Sequence, residues 1–96
     1  MALTSKQKQY LRGLAHNLKP IILVGNKGIS AQVLEEFNHA IEFHELIKVK
    51  LSSADRDERT QMVQQIVDHS ASEIIQCIGK TAIFFRTSEN HKIQLP

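Results

Sequence analysis

The stretch ILVGNKGIS, residues 22–30, decides the fold because it runs from a strand through a glycine-containing loop to the start of a helix. The apolar run over residues 21–24 lies between Pro20 and a glycine, which is typical of a short strand buried on both faces or nearly so. Ser30 is a good helix N-cap, and the apolar positions after it recur at helical spacing. The loop between strand and helix then consists of Gly25, Asn26, Lys27 and Gly28.

The segment before this stretch predicts an N-terminal helix over residues 5–17. Thr4 and Gln7 have the spacing of a capping box, and Pro20 prevents the helix from continuing into the strand. Apolar side chains recur between these two signals at the three- and four-residue spacing of one helix face. They are Tyr10, Leu11, Leu14, Ala15 and Leu18.

The second half of the chain predicts one more strand, a helix and a hairpin. Apolar residues alternate with Lys48 and Lys50 over residues 46–52, which indicates a half-buried strand with its lysines on the open face. Asp55 begins a third helix as its N-cap. The β-rich runs 74–78 and 81–86 flank Gly79-Lys80, a pair that favours a type II′ hairpin loop.

These elements predict an α/β fold, a two-layer sandwich of the α+β kind. An N-terminal helix precedes β-α-β-α-β-β, and the strands form a four-stranded mixed sheet with the helices packed on one face. The other face of the sheet would be partly open. A chain of 96 residues corresponds to one domain, so we expect residues 1–96 to form a single unit.

Composition narrows the class of protein. The lone Cys77 allows no internal disulfide, which is compatible with a reducing compartment, and the N-terminus has no apolar segment of the signal-peptide type. No apolar run approaches the roughly 20 residues of a membrane span. We therefore expect a cytoplasmic protein without membrane contact, and a monomer as the default for so small a core.

The distribution of charge is lopsided. Residues 1–34 contain five Lys or Arg and no acidic residue, a charge of +5; the remaining 62 residues contain seven Lys or Arg and ten Asp or Glu, a charge of −3. Such asymmetry indicates a polyanion partner for one face, although a short chain can also be lopsided by chance.

The glycine loop has two interpretations. Glycines at the strand end and helix start let the backbone approach a ligand closely, and helix N–H groups favour an anion there. The same logic underlies the Gly-X-X-Gly loop that clamps nucleic-acid backbone in KH domains, although that loop joins two helices. A plain turn explains the two glycines as well.

The N-terminal helix carries a row of basic side chains. Lys8, Arg12 and His16 are spaced four residues apart and lie in one line, and Lys19 follows just before the strand. A solvated surface is the alternative, but solvated faces usually mix both signs of charge and this one does not. Lys48 and Lys50 belong either to a binding face or to charges that discourage sheet aggregation.

Residue patterns for catalysis or cofactor binding are not found. His39 and His44 are five residues apart and do not share a helix face, so no metal site is predicted. Gly79-Lys80-Thr81 resembles the end of a P-loop, but the first glycine of that motif would fall on Ile74. We therefore expect a protein that is not an enzyme and has neither cofactor nor metal.

Three separated motifs resemble one known family. They are LRGLAHNLKPIILVGNKGIS (residues 11–30), FHELIKVKLS (43–52) and IIQCIGKTAIFFR (74–86). In this order and spacing they are similar to the CRM domain (chloroplast RNA splicing and ribosome maturation), and most similar to its stand-alone bacterial YhbY-like members. The resemblance extends over about residues 3–95. One departure is Phe84-Phe85-Arg86, where family members often have a Leu-Tyr-Arg-like ending.

The resemblance implies an RNA-binding protein that acts on ribosomal RNA of the precursor large (50S) subunit. It also implies a fold similar to the C-terminal domain of translation initiation factor three. In this family the Gly-X-X-Gly loop is taken to contact RNA together with neighbouring basic residues. An alternative is a protein-interaction module that docks a ribosomal protein or an assembly factor through the open sheet face. The candidate RNA contacts are Gly25, Asn26, Lys27, Gly28, Arg12, Lys19, Lys8, Lys48 and Lys50.

Overall fold

The computed structural model describes residues 3–25, 28–53 and 55–96. The order of elements is the predicted one. The helices are α1 (Ser5–Ala15), α2 (Ala31–His44) and α3 (Arg56–Ser70), and the strands are β1 (Ile22–Val24), β2 (Leu46–Leu51), β3 (Glu73–Ile78) and β4 (Thr81–Phe85). In the ranges that are described, no helix is both long and apolar enough to cross a membrane.

The four strands form one mixed sheet in the order β1-β2-β4-β3. β1 is parallel to β2, and β4 is antiparallel to both β2 and β3. Ile78 pairs with Thr81, so that the β3–β4 loop has two residues, and the first of them, Gly79, has a φ of 55°. A positive φ at this position explains why a glycine begins the predicted hairpin loop.

The main core lies between the sheet and the helices α2 and α3. Its centre is an edge-to-face contact of Phe37 and Phe84, with ring centroids 5.0 Å apart and an interplanar angle of 83°. This packing confirms the predicted sandwich of sheet and helices. The buried members of the main core are Ile22, Val24, Phe37, Ile41, Ile47, Val49, Leu51, Met62, Ile66, Ala82 and Phe84.

Helix α1 packs on the other face of the sheet, which differs from the prediction that the helices share one face. In β2, Leu46 alternates with the main-core residue Ile47 and therefore points to the opposite side. A helix that precedes the first strand is not part of a β-α-β crossover, and the crossover rule does not fix its side. The second core consists of Leu11, Ala15, Leu46, Ile75, Ile83 and Phe85.

Only part of the predicted apolar stripe of α1 is buried. Leu11 and Ala15 are fully buried, whereas Tyr10, Leu14 and Leu18 are 38–41% exposed. The stripe predicted the helix correctly but overestimated its buried width, because α1 covers only one end of the sheet face.

The same partial cover corrects the prediction for β1. Ile22 and Val24 are buried in the main core, but Leu23 between them is 65% exposed. β1 is an edge strand of the sheet, and α1 reaches the end of the opposite face around Leu46 and Phe85. β1 is therefore buried on one face only.

β3 contributes to both cores and contains a β-bulge. Ile74 packs against the main core and the next residue, Ile75, is buried in the second, as the alternation of a strand requires. The register with β4 shifts between Ile74 and Gln76, so that Ile75 has no partner in β4, and Gln76, opposite Ile83, lies on the same face as Ile75.

The C-terminal segment is held across the second core by a buried carboxylate. Glu45, which follows α2 with a φ of 66°, is fully buried and accepts hydrogen bonds from the backbone N–H groups of Ser88 and Ile93, each at 2.7 Å. Desolvation acts to raise the pKa of Glu45, but the hydrogen bonds from the Ser88 side chain and from the backbone outweigh it, and the pKa is lowered. Ile93 and Leu95 then pack against the second core.

Candidate nucleic-acid interface

The glycine loop begins where β1 ends. The last residues of β1 and β2 form this sheet edge, which runs across the ends of the strands and is not the side of an outer strand. The Gly28 N–H donates to the Gly25 carbonyl oxygen at 3.1 Å, and the Ser52 N–H donates to the Val24 carbonyl oxygen at 3.0 Å. The predicted contacts Asn26 and Lys27 lie outside the described residues.

The structure requires glycine at one of the two ends of the loop but not at the other. Gly28 has a φ of 77°, which side chains rarely adopt, so that its backbone conformation alone favours glycine. Gly25 is exposed, it has no positive φ, and a Cβ placed on it would meet no atom within 4 Å. Nothing in the described part of the chain therefore requires glycine at position 25, and a close approach from outside would give it a purpose.

Helix α2 begins directly behind the loop. Ser30 is its N-cap, and the Ser30 side chain accepts a hydrogen bond from the Val33 N–H at 3.1 Å. The predicted strand–loop–helix unit is thus present, with a capped helix start adjoining Gly28. Such a position is favourable for an anion because helix N–H groups and the helix dipole point outward there.

The basic row of α1 lies along one flank of that helix. Lys8 and Arg12 are both half-buried, while His16 and Lys19 are exposed. The opposite flank carries Gln7, whose side-chain amide donates to the C-terminal Pro96 carbonyl at 3.3 Å. The basic flank therefore faces away from this contact with the chain end, and the structure keeps Lys8 and Arg12 together as the sequence predicted.

Lys48 and Lys50 lie on the face opposite α2 and α3, which was predicted to be open but is partly covered by α1. The strand register aligns Lys50 with Leu23 on one side and with Thr81 on the other, and Thr81 with Ile78. This row crosses all four strands beyond the part that α1 covers, and its end residues, Leu23 and Ile78, are 65% and 63% exposed. The open part of the sheet face is thus both basic and apolar.

Few of these cations are neutralised. Among the residues that the structure describes, the ion pair of Arg86 with Glu42, at 3.1 Å, is the only salt bridge. It lies away from the basic row, where β4 ends beside α2. Cations without acidic partners give the α1 side a positive potential that attracts polyanions.

Sequence reasoning missed two arginines and a lysine at the same sheet edge. Arg56 and Arg59 begin α3, and Lys80 lies in the hairpin loop, where its carbonyl oxygen accepts a hydrogen bond from the Leu51 N–H. The Asp and Glu residues around the arginines are helix-capping signals, which account for the segment without any binding role. The alternation of sign in DRDER, residues 55–59, was the available hint.

The described ranges contain no comparable cluster of acidic or metal-binding side chains. No group of three or more His, Cys, Asp or Glu side chains is placed there to hold a metal ion. The buried carboxylate of Glu45 is engaged by the C-terminal segment. The surface that combines exposed backbone, at Gly25, with positive side chains is the sheet edge where the glycine loop begins, together with the basic flank of α1.

This architecture defines a class: small α/β domains that present a glycine loop and a basic helix at one side of a mixed sheet. Comparison with known proteins gives the particular family. The model of the CRS1/YhbY (CRM) domain matches residues 3–86, and the chain belongs to that family.

Relatives of the chain are similar over almost its whole length. A Haemophilus influenzae protein named "RNA-binding protein" is 44% identical over 94 residues, which are 98% of this chain and 95% of the relative. The candidate RNA-binding protein YqeI of Bacillus subtilis is 37% identical over 95 residues, 98% of this chain and 99% of the relative.

A solved structure supports the fold. The solution structure of SAV1595 from Staphylococcus aureus, described as a candidate RNA-binding protein, has a TM-score of 0.85 to this chain and 38% sequence identity. The similarity covers 99% of this chain and 100% of SAV1595. The predicted fold class is thereby confirmed by a second molecule as well as by the order of elements in this one.

Proposed function

We propose that this protein binds RNA, specifically ribosomal RNA of the precursor large (50S) subunit, and acts in ribosome assembly as a single cytoplasmic domain. The observation that carries the proposal is the row of cations on the α1 side, including Arg12 and Lys19, which form no salt bridge within the described ranges, together with the exposed Gly25 at the adjoining sheet edge. The names of the relatives support RNA as the partner. The motif resemblance supports the ribosomal target.

The proposed mechanism is clamping of the phosphate backbone. Loop N–H groups and Lys27 hold phosphates, and Arg12, Lys19 and Lys8 extend the track along α1, with Lys48 and Lys50 beside it. Phosphate contacts fix position and carry no sequence information, so we expect modest sequence preference. Base stacking contributes little to this mechanism because three of the four phenylalanines, Phe37, Phe84 and Phe85, are buried.

A salt series with large-subunit ribosomal RNA fragments tests the proposal. If about 3–5 phosphates are contacted, log Kd should change with log salt concentration with a slope of about 2–4 on single-stranded or looped RNA. The double variant Arg12→Ala/Lys27→Ala should bind more weakly and with a shallower slope, while circular dichroism shows that it stays folded. A folded double variant that binds like the wild type would contradict the proposal.

A pair of glycine substitutions separates clamping from a plain turn. Gly25→Ala and Gly13→Ala both place a methyl group in open space, with nothing within 4 Å. Gly13 lies within α1, where alanine favours the helix by up to about 1 kcal/mol. Both variants should therefore fold, but only Gly25→Ala should weaken RNA binding, because its methyl group lies where the RNA backbone approaches. Equal binding by both variants would leave the glycine loop as a turn.

The open sheet face supports a second candidate function, the docking of a ribosomal protein or an assembly factor. The specific observation is the exposure of Leu23, Ile78 and Ile21 on or beside the face that α1 leaves uncovered. This function predicts weak salt dependence and sensitivity to Leu23→Ser rather than to Arg12→Ala. The two candidates are therefore distinguished by which substitution removes binding to precursor large-subunit particles.

A further inference from the structure

A second basic concavity lies at the same sheet edge, on the α3 side rather than the α1 side. It is an open cavity of about 370 Å³ between the start of α3 and the β3–β4 hairpin. Its volume is at the lower end of the roughly 300–1,000 Å³ of ligand pockets. We call it the hairpin notch, and its lining is Leu51, Arg56, Arg59, Thr60, Val63, Cys77, Gly79 and Thr81.

The chemistry of the notch combines cations, a hydroxyl group and an apolar wall. Arg56 and Arg59 contribute two guanidinium groups, and no carboxylate of the described ranges lines the cavity. Arg59 donates one hydrogen bond, from Nη1 to the Ser53 carbonyl oxygen at 2.8 Å, which fixes the side chain and leaves its other donors for a ligand. The Thr60 hydroxyl donates to the Arg56 carbonyl at 3.0 Å and keeps its lone pairs as acceptors.

The charge of Arg59 reaches across the notch. Burial raises the pKa of the Cys77 thiol, and the positive charge of Arg59 partly opposes that rise. Arg56 and Arg59 form no salt bridge within the described ranges. A cavity with two arginines and no acidic lining is suited to an anion, because a guanidinium binds phosphate oxygens in a planar, bidentate geometry.

The glycine loop and the notch are neighbours across the end of β2. The Ser52 N–H donates to the Val24 carbonyl oxygen, just before the loop, and the Leu51 N–H donates to the Lys80 carbonyl oxygen, in the hairpin turn. β1 and β4, which lead to these two features, flank β2 directly and are therefore separated by about 10 Å. The Met62 Cε atom lies 3.9 Å from where a Cβ on Gly28 would sit, one helical turn beyond Arg59.

We propose that the hairpin notch binds one nucleotide of the same RNA strand that passes over the glycine loop. Arg56 and Arg59 bind its phosphate, the Thr60 hydroxyl binds a sugar or base edge, and Val63 packs against the base. The inference rests on the proposed function and extends it: the RNA crosses the sheet edge from the α1 side to the α3 side. The contact surface is then bent around the edge rather than confined to one face.

The only cysteine of the chain provides the test, because Cys77 lines the notch and is exposed. Alkylation of Cys77 by iodoacetamide is followed by mass spectrometry at fixed pH and salt, with and without the ribosomal RNA fragment that binds most tightly in the salt series. At an RNA concentration about ten times Kd, we expect alkylation to slow about tenfold, since only about one site in eleven is free. A Cys77→Ser/His39→Cys variant, with its cysteine exposed on α2, should show no slowing.

Substitution of the arginines and a mononucleotide control show whether protection comes from a nucleotide held in the notch. In Arg56→Gln/Arg59→Gln, RNA should still bind through the loop and α1, but with a salt slope lower by about 0.7, as expected for one lost phosphate contact. Protection of Cys77 should then be lost. Adenosine monophosphate at the RNA concentration should not protect Cys77; protection equal to that by RNA would make the notch a mononucleotide site and overturn the inference.

The outcomes separate the two proposals. RNA binding with unprotected Cys77 overturns the inference and leaves the proposed function in place. Failure of every RNA fragment to bind overturns both. Binding with protection that survives Arg56→Gln/Arg59→Gln also contradicts the inference, because the arginines would then not hold the nucleotide.

Discussion

Helices α1 and α2 are similar in length, 11 and 14 residues, but opposite in charge and in the face of the sheet that they cover. α1 contains three Lys or Arg residues and no acidic residue, whereas α2 contains three Glu residues and no Lys or Arg. α1 packs on the second core, which has six buried residues, and α2 on the main core, which has eleven. The side with the larger core is thus acidic, and the side with the smaller core is basic.

This difference places most of the stabilising core on one face of the sheet and the basic surface proposed for binding on the other. A polyanion approaching α2 meets repulsion from its glutamates, and one approaching α1 meets attraction. The buried area that stabilises the fold lies mostly under α2 and α3, so that α1 is free to carry uncompensated cations at little cost to the main core. The notch at the start of α3 is the place where basic residues extend beyond the α1 side.

The largest expected effect is on the free energy of unfolding, and it compares a truncation in the main core with one in the second core. Phe37→Ala should lower the free energy of unfolding by about 3–5 kcal/mol, because it removes the ring that packs edge-to-face on Phe84. Leu11→Ala should cost about 2–3 kcal/mol, at the lower end for a buried leucine, because the small second core can collapse around the lost atoms. Urea unfolding followed by circular dichroism measures both. If Leu11→Ala proved the more costly, the second core would carry more of the stability than the packing indicates.

A smaller effect concerns Glu45, which joins the α2 side to the segment that lies over the second core. Glu45→Gln should lower the free energy of unfolding by about 2 kcal/mol at neutral pH, because hydrogen bonds to a carboxylate are replaced by weaker ones. The exposed Glu35→Gln is the matched control and should change stability little.

Titration gives an independent check on the same carboxylate. The pKa of Glu45 is lower in the folded chain than its ordinary value of 4.5, so that its ionised form stabilises the fold fully above that value. The stabilisation is lost as the pH falls below 4.5 through the lowered pKa. The stability difference between wild type and Glu45→Gln should therefore shrink on acidification over that range. A difference that does not depend on pH would contradict the role of the charge.

The smallest expected effect compares single charges on the two helices. Arg12→Gln should weaken RNA binding about fivefold, or roughly 1 kcal/mol, and lower the salt slope by about 0.7, as expected for one lost phosphate contact. Glu35→Gln removes one charge from α2 and should leave binding equal or slightly tighter. Fluorescence anisotropy across a salt series measures both variants. Equal weakening by both would remove the distinction between a binding side and an acidic side.

Much of this arrangement follows from local sequence signals. The caps at Thr4, Ser30 and Asp55 and the period-two pattern around Lys48 and Lys50 predicted the elements within a few residues, because these features depend on near neighbours. The glycine loop and the row with Arg12 were found for the same reason.

Features that depend on tertiary packing were less predictable. The position of α1 on the second face is set by contacts of Leu11 and Ala15 with strands far along the chain. The bulge in β3 places the consecutive residues Ile75 and Gln76 on one face and so breaks the alternation from which strand faces are read. Arg56 and Arg59 come together with Cys77 only when the hairpin folds against α3.

The bulge in β3 has a consequence for association between copies of the chain. β3 is an outer strand, and a regular outer strand offers a row of unpaired N–H and C=O groups on which another chain can add a strand. The register shift at Ile74 and Gln76 interrupts that row and twists the edge locally. The other outer strand, β1, is only three residues long. Both borders of the sheet therefore resist templated strand addition, which protects the chain from amyloid-like polymerisation.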